Sequence, residues 1–126
     1  MGKSYWLLKT EPEEWSWQQQ IKSGDKGAEW NGVRNFQAAK NLKNMKINDR
    51  CFFYHTGQEK RIVGIVKVIK KAFYDKTDKT QKFVSVMVKS VSPFKREVSL
   101  QEIKKNKDFN DFSLVKQSRL SVMKVD

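Results

Sequence analysis

The sequence predicts an α+β fold: a small, curled β-barrel of about five to six mainly antiparallel strands, with helices at its periphery. Three observations lead there. Five short stretches are rich in β-branched and aromatic residues, the composition of strands. Helix-start signatures stand between the first and second of these stretches and again before the last. The first and last stretches are both apolar enough to pair, which would join the ends of the sheet and remove exposed edges.

Residues 5–10 (YWLLKT) are an apolar and aromatic run ended by Glu11 and Pro12, and a residue before proline is held extended, so a buried first strand is expected. Ser16 stands three residues before Gln19, the spacing of a capping box, and Gly24 closes the segment, which predicts a short helix over about 16–23. Between Gly24 and Asn35, residues 25–34 hold two glycines and Trp30 and read as an irregular loop. From Asn35, a candidate N-cap, Phe36, Ala39, Leu42 and Met45 recur near helical spacing up to residues 47–49. Residues 51–56, 61–69 and 83–89 then read as three strands in an antiparallel meander, linked by a hairpin-length segment at 56–60 and a longer polar turn at 75–80. Ser99 and Glu102 form a second capping-box spacing before a helix over about 99–106, and residues 119–125 alternate as a closing strand.

The 126 residues fit one domain spanning 1–126, with no repeat, low-complexity tract or linker. Lys and Arg number 26 against 14 acidic residues, a net charge of +12 scattered along the chain. A folded basic surface of that kind attracts a polyanion through phosphate contacts and counterion release, and it also arises in proteins that touch neither nucleic acid nor membrane, so charge alone weighs a nucleic-acid partner evenly against none. Cys51 is the sole cysteine and His55 the sole histidine, which leaves no disulfide and no zinc-type ligand set. With no apolar stretch near the ~20 residues of a membrane span, the chain is expected to be a monomer in the cytoplasm, or in the nucleus if eukaryotic. No phosphate-cradling glycine loop is present, and neither cofactor nor metal is expected.

The chemistry-bearing residues gather in irregular backbone. Residues 30–35 place an indole (Trp30), a glycine, an apolar contact (Val33), a guanidinium (Arg34) and a carboxamide (Asn35) within six positions. Base recognition uses these groups: a flat face for stacking, donors and acceptors for a base edge, and a cation for phosphate. The alternative is that Trp30 plugs one end of the sheet, Asn35 only caps its helix and Arg34 is solvated. Strand alternation puts Lys9 and Glu11 on one face, and Arg119 and Ser121 on another that could line the same space. Glu11 and Arg119 would then either touch ligand or pair with each other. Tyr54 is wall or core, His55 a strand residue near a turn, and Cys51 a small buried hydrophobe.

Five motifs in order, YWLLKTEP at 5–12, WNGVRNFQA at 30–38, FFYH at 52–55, VGI at 63–65 and RLSVM at 119–123, resemble the EVE domain family almost from end to end. The resemblance implies a PUA-like fold with a pocket at one mouth, enclosing a flipped and chemically modified base, modified cytosine foremost, of DNA or RNA, without catalysis. It places Trp30, Val33, Arg34 and Asn35 in the pocket loop, and Lys9, Thr10 and Glu11 at the end of the first strand with Tyr54 and His55 beside them. Arg119 and Ser121 come from the closing strand. Two departures stand out: Ala39 and Lys40 replace an arginine and a polar residue common in the family, and the chain stops at Asp126, which is expected to open one pocket edge.

Two other functions compete. The related ASCH domains include amidohydrolases of acylated cytidine that use a Thr, a Lys and a Glu, to which Lys9, Thr10 and Glu11 are superficially similar. Strand alternation opposes their convergence unless the strand ends or bulges there. A non-enzymatic RNA-binding adaptor, or a scaffold whose charge serves solubility, is the third possibility.

Overall fold

The computed structural model describes residues 4–105 and 120–125. Its elements run β1 (Tyr5–Thr10), α1 (Trp17–Lys22), a 3-10 turn (Gly24–Lys26), β2 (Ala28–Trp30), α2 (Phe36–Asn44), β3 (Arg50–His55), β4 (Arg61–Tyr74), β5 (Val84–Ser99), α3 (Leu100–Lys105) and β6 (Val122–Val125). The six strands make one sheet in the order β2-β5-β4-β3-β1-β6. β1 and β6 pair antiparallel as expected, with Leu7 opposite Met123. The sheet nevertheless stays open: β2 and β6 are its two edges and do not pair, so the closed barrel is not formed among the described strands. One pairing is parallel, β1 with β3, because α1, β2 and α2 form a crossover between them.

Local signals account for the helices. Ser16 accepts from the Gln19 N–H while the Gln19 side chain accepts from the Ser16 N–H, a complete capping box. Asn35 is the N-cap of α2, its side-chain oxygen accepting from the Ala38 N–H, and the helix ends at Asn44 rather than at 47–49. Ser99 accepts from Glu102 at the start of α3.

Two strands depart from expectation. β5 runs to Ser99, ten residues beyond the predicted end, through Ser90, Ser92 and Pro93. It pairs with β4 along its length, but β2 covers its other side only at Val86–Val88. A strand with one neighbour tolerates polar residues and proline that a central strand does not. The stretch 25–34 is not wholly irregular: residues 28–30 form β2, and Trp30 ends that strand. Gly27 makes this possible, since it adopts φ +73° and a Cβ there would lie 2.5 Å from the Val88 carbonyl oxygen.

The core lies between the sheet and the helices, with Leu7, Leu8, Leu42, Phe53, Val66, Val86, Val88 and Met123 fully buried. At Gly64 the Trp17 indole packs straight onto β4, where a Cβ would come within 2.5 Å of the ring. Asp49 is a buried hub that accepts from the Trp6 indole N–H at 3.0 Å and from the Lys46 N–H at 2.9 Å, tying β1 to the turn before β3. Cys51 is fully buried, and burial pushes its thiol well above the ordinary range, which suits packing and not nucleophilic chemistry. No helix among the described residues is long and apolar enough to cross a membrane.

Candidate functional site

A cavity of about 1070 Å³ opens where the C-terminal end of β1, β2 and the loop into α2 meet. That exceeds the ~300–1,000 Å³ of common small-molecule sites and leaves room for a nucleotide with part of its backbone.

Most of the residues singled out in the sequence line it. Val33, Arg34 and Asn35 come from the loop, Ser121 from the segment before β6, and Trp30 from the end of β2. The Trp30 indole is turned inward, 7% exposed, edge-on to Phe53 at 5.5 Å between ring centres, and offers the cavity only a narrow strip. The Asn35 side-chain oxygen caps α2, and the residue also lines the cavity. Arg119 falls outside the described residues.

Lys9, Thr10 and Glu11 all reach the cavity, contrary to simple strand alternation, because β1 stops at Thr10 and the chain turns. Trp15 and Glu14 donate their N–H groups to the Glu11 carbonyl, and the Thr10 hydroxyl donates to the Trp15 carbonyl at 2.9 Å. The Lys9 ammonium lies 5.9 Å from the Tyr54 ring centre, and burial lowers the lysine pKa by penalising its charge.

Tyr54 and His55 stand behind the cavity wall. Tyr54 is buried, which raises its hydroxyl pKa to about 12. His55 Nε2 accepts from the Trp17 N–H at 3.0 Å, which leaves the proton on Nδ1 to be donated to Glu59 at 3.0 Å. Both ring nitrogens are engaged in holding α1 and the β3–β4 turn.

The structure adds residues that the sequence did not single out. Trp15 is half-buried, lines the cavity and donates its indole N–H to Gln20 at 2.8 Å, so it is the more open of the two indoles. Its setting in the turn after Pro12 carries the same signal as Trp30, a bulky aromatic in irregular backbone. Glu14, Glu29 and Asn31 add polar groups to the lining.

Asp75, at the end of β4, fixes the loop. Its Oδ2 accepts from the Gly32 N–H at 2.7 Å and from Arg34 at 3.0 Å, and its Oδ1 accepts from the Thr77 N–H and hydroxyl. Burial works against its charge, but the hydrogen bonds from Thr77, Gly32 and Arg34 outweigh it and hold the carboxyl at about 2. Arg34 also donates to Thr77 at 2.8 Å and lies over Phe83 at 5.4 Å, so it latches the loop while its side chain stays 40% exposed. Gly32 takes φ +80°, which turns its N–H toward Asp75. No cluster of His, Cys, Asp and Glu able to hold a metal exists among the described residues.

An open α+β sheet with a polar, indole-walled cavity where β1 ends defines the class, and a family model described as the EVE domain matches residues 4–126; this chain belongs to the EVE domain family. It is 34% identical to thymocyte nuclear protein 1 of Rattus norvegicus over 125 residues, covering 80% of this chain and 55% of that protein. The chain therefore spans about half the length of such relatives. Among solved structures, human THYN1 in complex with DNA containing 5-methylcytosine superposes with a TM-score of 0.88 at 28% identity, over 98% of this chain and 91% of that one. A protein from Agrobacterium tumefaciens gives 0.93 at 42% identity, over 98% and 85%. An ASCH protein from Zymomonas mobilis, 11% identical with a TM-score of 0.54 over 97% and 90%, shares the fold alone.

Proposed function

We propose that this chain binds nucleic acid and encloses one flipped base, a modified cytosine foremost, in the cavity beside Trp15 and Trp30, without chemistry on it. The observation that carries this is the cavity itself: it has room for a nucleotide, and its walls hold both an indole and hydrogen-bonding groups. A cytosine presents an amino donor where thymine and uracil present a carbonyl, and a carboxylate accepts from that amine while repelling the carbonyl. Glu11, Glu14 and Glu29 supply such acceptors, and the Asn31 and Asn35 amides supply donors for the ring nitrogen and carbonyl. A substituent on the cytosine ring would meet Val33 or an indole. The relative solved with 5-methylcytosine DNA supports the same choice of base, and the net charge of +12 supplies affinity for the strand. Among eukaryotic relatives the name thymocyte nuclear protein fits a place beside DNA. We propose that the working unit is a monomer and that RNA carrying such a base would enter by the same route.

The test is a Trp15→Ala variant titrated with oligonucleotides that differ at one cytosine. Stacking is worth roughly 1–3 kcal/mol per base, so the variant should lose its preference for the modified strand and keep its salt-dependent background. Equal preference in both proteins would refute the assignment.

A second function, hydrolysis of an acyl group from a modified nucleoside, draws on one observation: Lys9, Thr10 and Glu11 share the cavity, and burial lowers the lysine pKa. Against it, the Thr10 hydroxyl is committed to the Trp15 carbonyl. Release of acid from N-acylcytidine by the wild type, lost in Lys9→Ala, would overturn the non-catalytic proposal.

A further inference from the structure

The carboxylates that suit the cavity to a cytosine edge make it a poor place for phosphate. Glu11, Glu14 and Glu29 face it, whereas of its two cations Arg34 is paired with Asp75. A strand whose base enters there must be held by its phosphates elsewhere.

The opposite end of α2 offers the complement. A second cavity of about 420 Å³ lies between Lys43 in the last turn of α2, Lys71 and Tyr74 at the end of β4, and Lys82 before β5. No acidic residue lines it, and none of the three lysines pairs with a carboxylate among the described residues. The acids nearest in sequence are turned inward. Asp75 is taken by Gly32, Arg34 and Thr77, and Asp78 accepts from Thr80, Lys82 and Phe83 backbone N–H groups. The hairpin thus presents lysines outward and keeps its acids within.

An aromatic face accompanies the charge. Tyr74 is 65% exposed, an unusual place for a large ring unless something stacks on it. Phe73, its neighbour in the wall, is already covered by the Lys70 ammonium at 4.5 Å, which leaves Tyr74 the open ring. Lysines interleaved with an exposed aromatic are the elements of a single-strand platform.

We infer that this groove is a second nucleic-acid contact, gripping the phosphodiester backbone through Lys43, Lys71 and Lys82 and stacking one unpaired base on Tyr74. Given base capture in the first cavity, on which this assignment rests, the groove holds the flanking strand. Asn35 lines the first cavity and Lys43 the second, eight residues apart along α2, so about 12 Å of helix separates them.

The test compares the wild type, Tyr74→Ala and the triple variant Lys43→Gln, Lys71→Gln, Lys82→Gln on single strands carrying one 5-methylcytosine, either alone as the mononucleotide or with six nucleotides on each side. All four positions are on the surface, and circular dichroism confirms that the variants are folded. The triple variant should lower the slope of log K against log salt by about 2, at ~0.7 per phosphate contact. Tyr74→Ala should weaken the long strand about 5- to 150-fold, the loss of one stacked base, and leave the mononucleotide unchanged. In both variants the ratio of modified to unmodified binding should stay at the wild-type value. A wild-type slope in the triple variant, with full long-strand affinity in Tyr74→Ala, overturns the groove. A wild type without preference for the modified base, whose slope still falls in the triple variant, overturns base capture and leaves the groove standing.

Discussion

Asp75→Asn separates the loop's latch from the cavity it shapes. The wild-type carboxylate offers two oxygens, one to Gly32 and Arg34 and the other to Thr77. An amide keeps the shape but can accept on one side only, so its NH₂ must face either the Gly32 N–H and the guanidinium or the Thr77 donors. The carboxyl is held at about 2 against an ordinary 3.8, a preference for the charged folded state of roughly 2 kcal/mol at neutral pH. For a chain of this size that is a fall in Tm of about 8 °C. The sign with pH follows from the depressed value. Stabilisation by Asp75 is complete above the unfolded value near 4 and disappears as the pH falls through about 2, so the gap between wild type and variant should shrink over that window. Differential scanning calorimetry from pH 7 down to pH 2 reads both quantities. Base preference should weaken as well, because residues 32–34 lose their anchor. A Tm within 2 °C of wild type at pH 7, or a gap that does not narrow in acid, would refute the latch.

Gly64→Ala should cost about 1–3 kcal/mol in denaturant melts, since its Cβ would meet the Trp17 indole at 2.5 Å in a packed core; an unchanged midpoint would show that the indole can move aside. His55→Ala should destabilise by roughly 1–3 kcal/mol by stranding the buried Trp17 N–H, while oligonucleotide preference stays intact, and a selective loss of preference would move His55 into the binding surface. Ser16→Ala should cost about 1 kcal/mol through the lost capping box, read as faster amide exchange in α1.

What was legible in the sequence was local. Ser16 with Gln19 and Asn35 before Phe36 located two helix starts because a cap is a contact between residues three apart. Runs of apolar, aromatic and β-branched residues likewise located β1, β3 and the start of β4. The extension of β5 past Ser90 was hidden because its composition reflects a half-free strand, and strand propensity describes one packed on both sides. β2 was hidden by its length of three residues and by the glycine that lets it approach Val88.

The candidate site divided in the same way. The aromatic and amide residues of the 30–35 loop were visible as a group. Their latch was not, since Asp75 lies more than forty residues away in a stretch that reads as a polar turn. Tyr54 and His55 sit near the cavity in the chain's path but face the core, and no pattern within residues 51–56 distinguishes a wall from what lies behind it. Strand alternation separated Lys9 from Thr10 correctly only for a strand that continues; the turn at Glu11 brings them together.

Nuclear magnetic resonance titration of the labelled protein with a short single strand carrying one 5-methylcytosine tests base capture most directly. The indole N–H signals of Trp15 and Trp30 and the amide signals of Asn31 and Gly32 should shift together and saturate, and the same strand with unmodified cytosine should move them less. Shifts confined to the lysine-bearing hairpin, with both indoles and the 31–35 loop unmoved at saturation, would show that the strand binds while the cavity stays empty, and would contradict the proposed function.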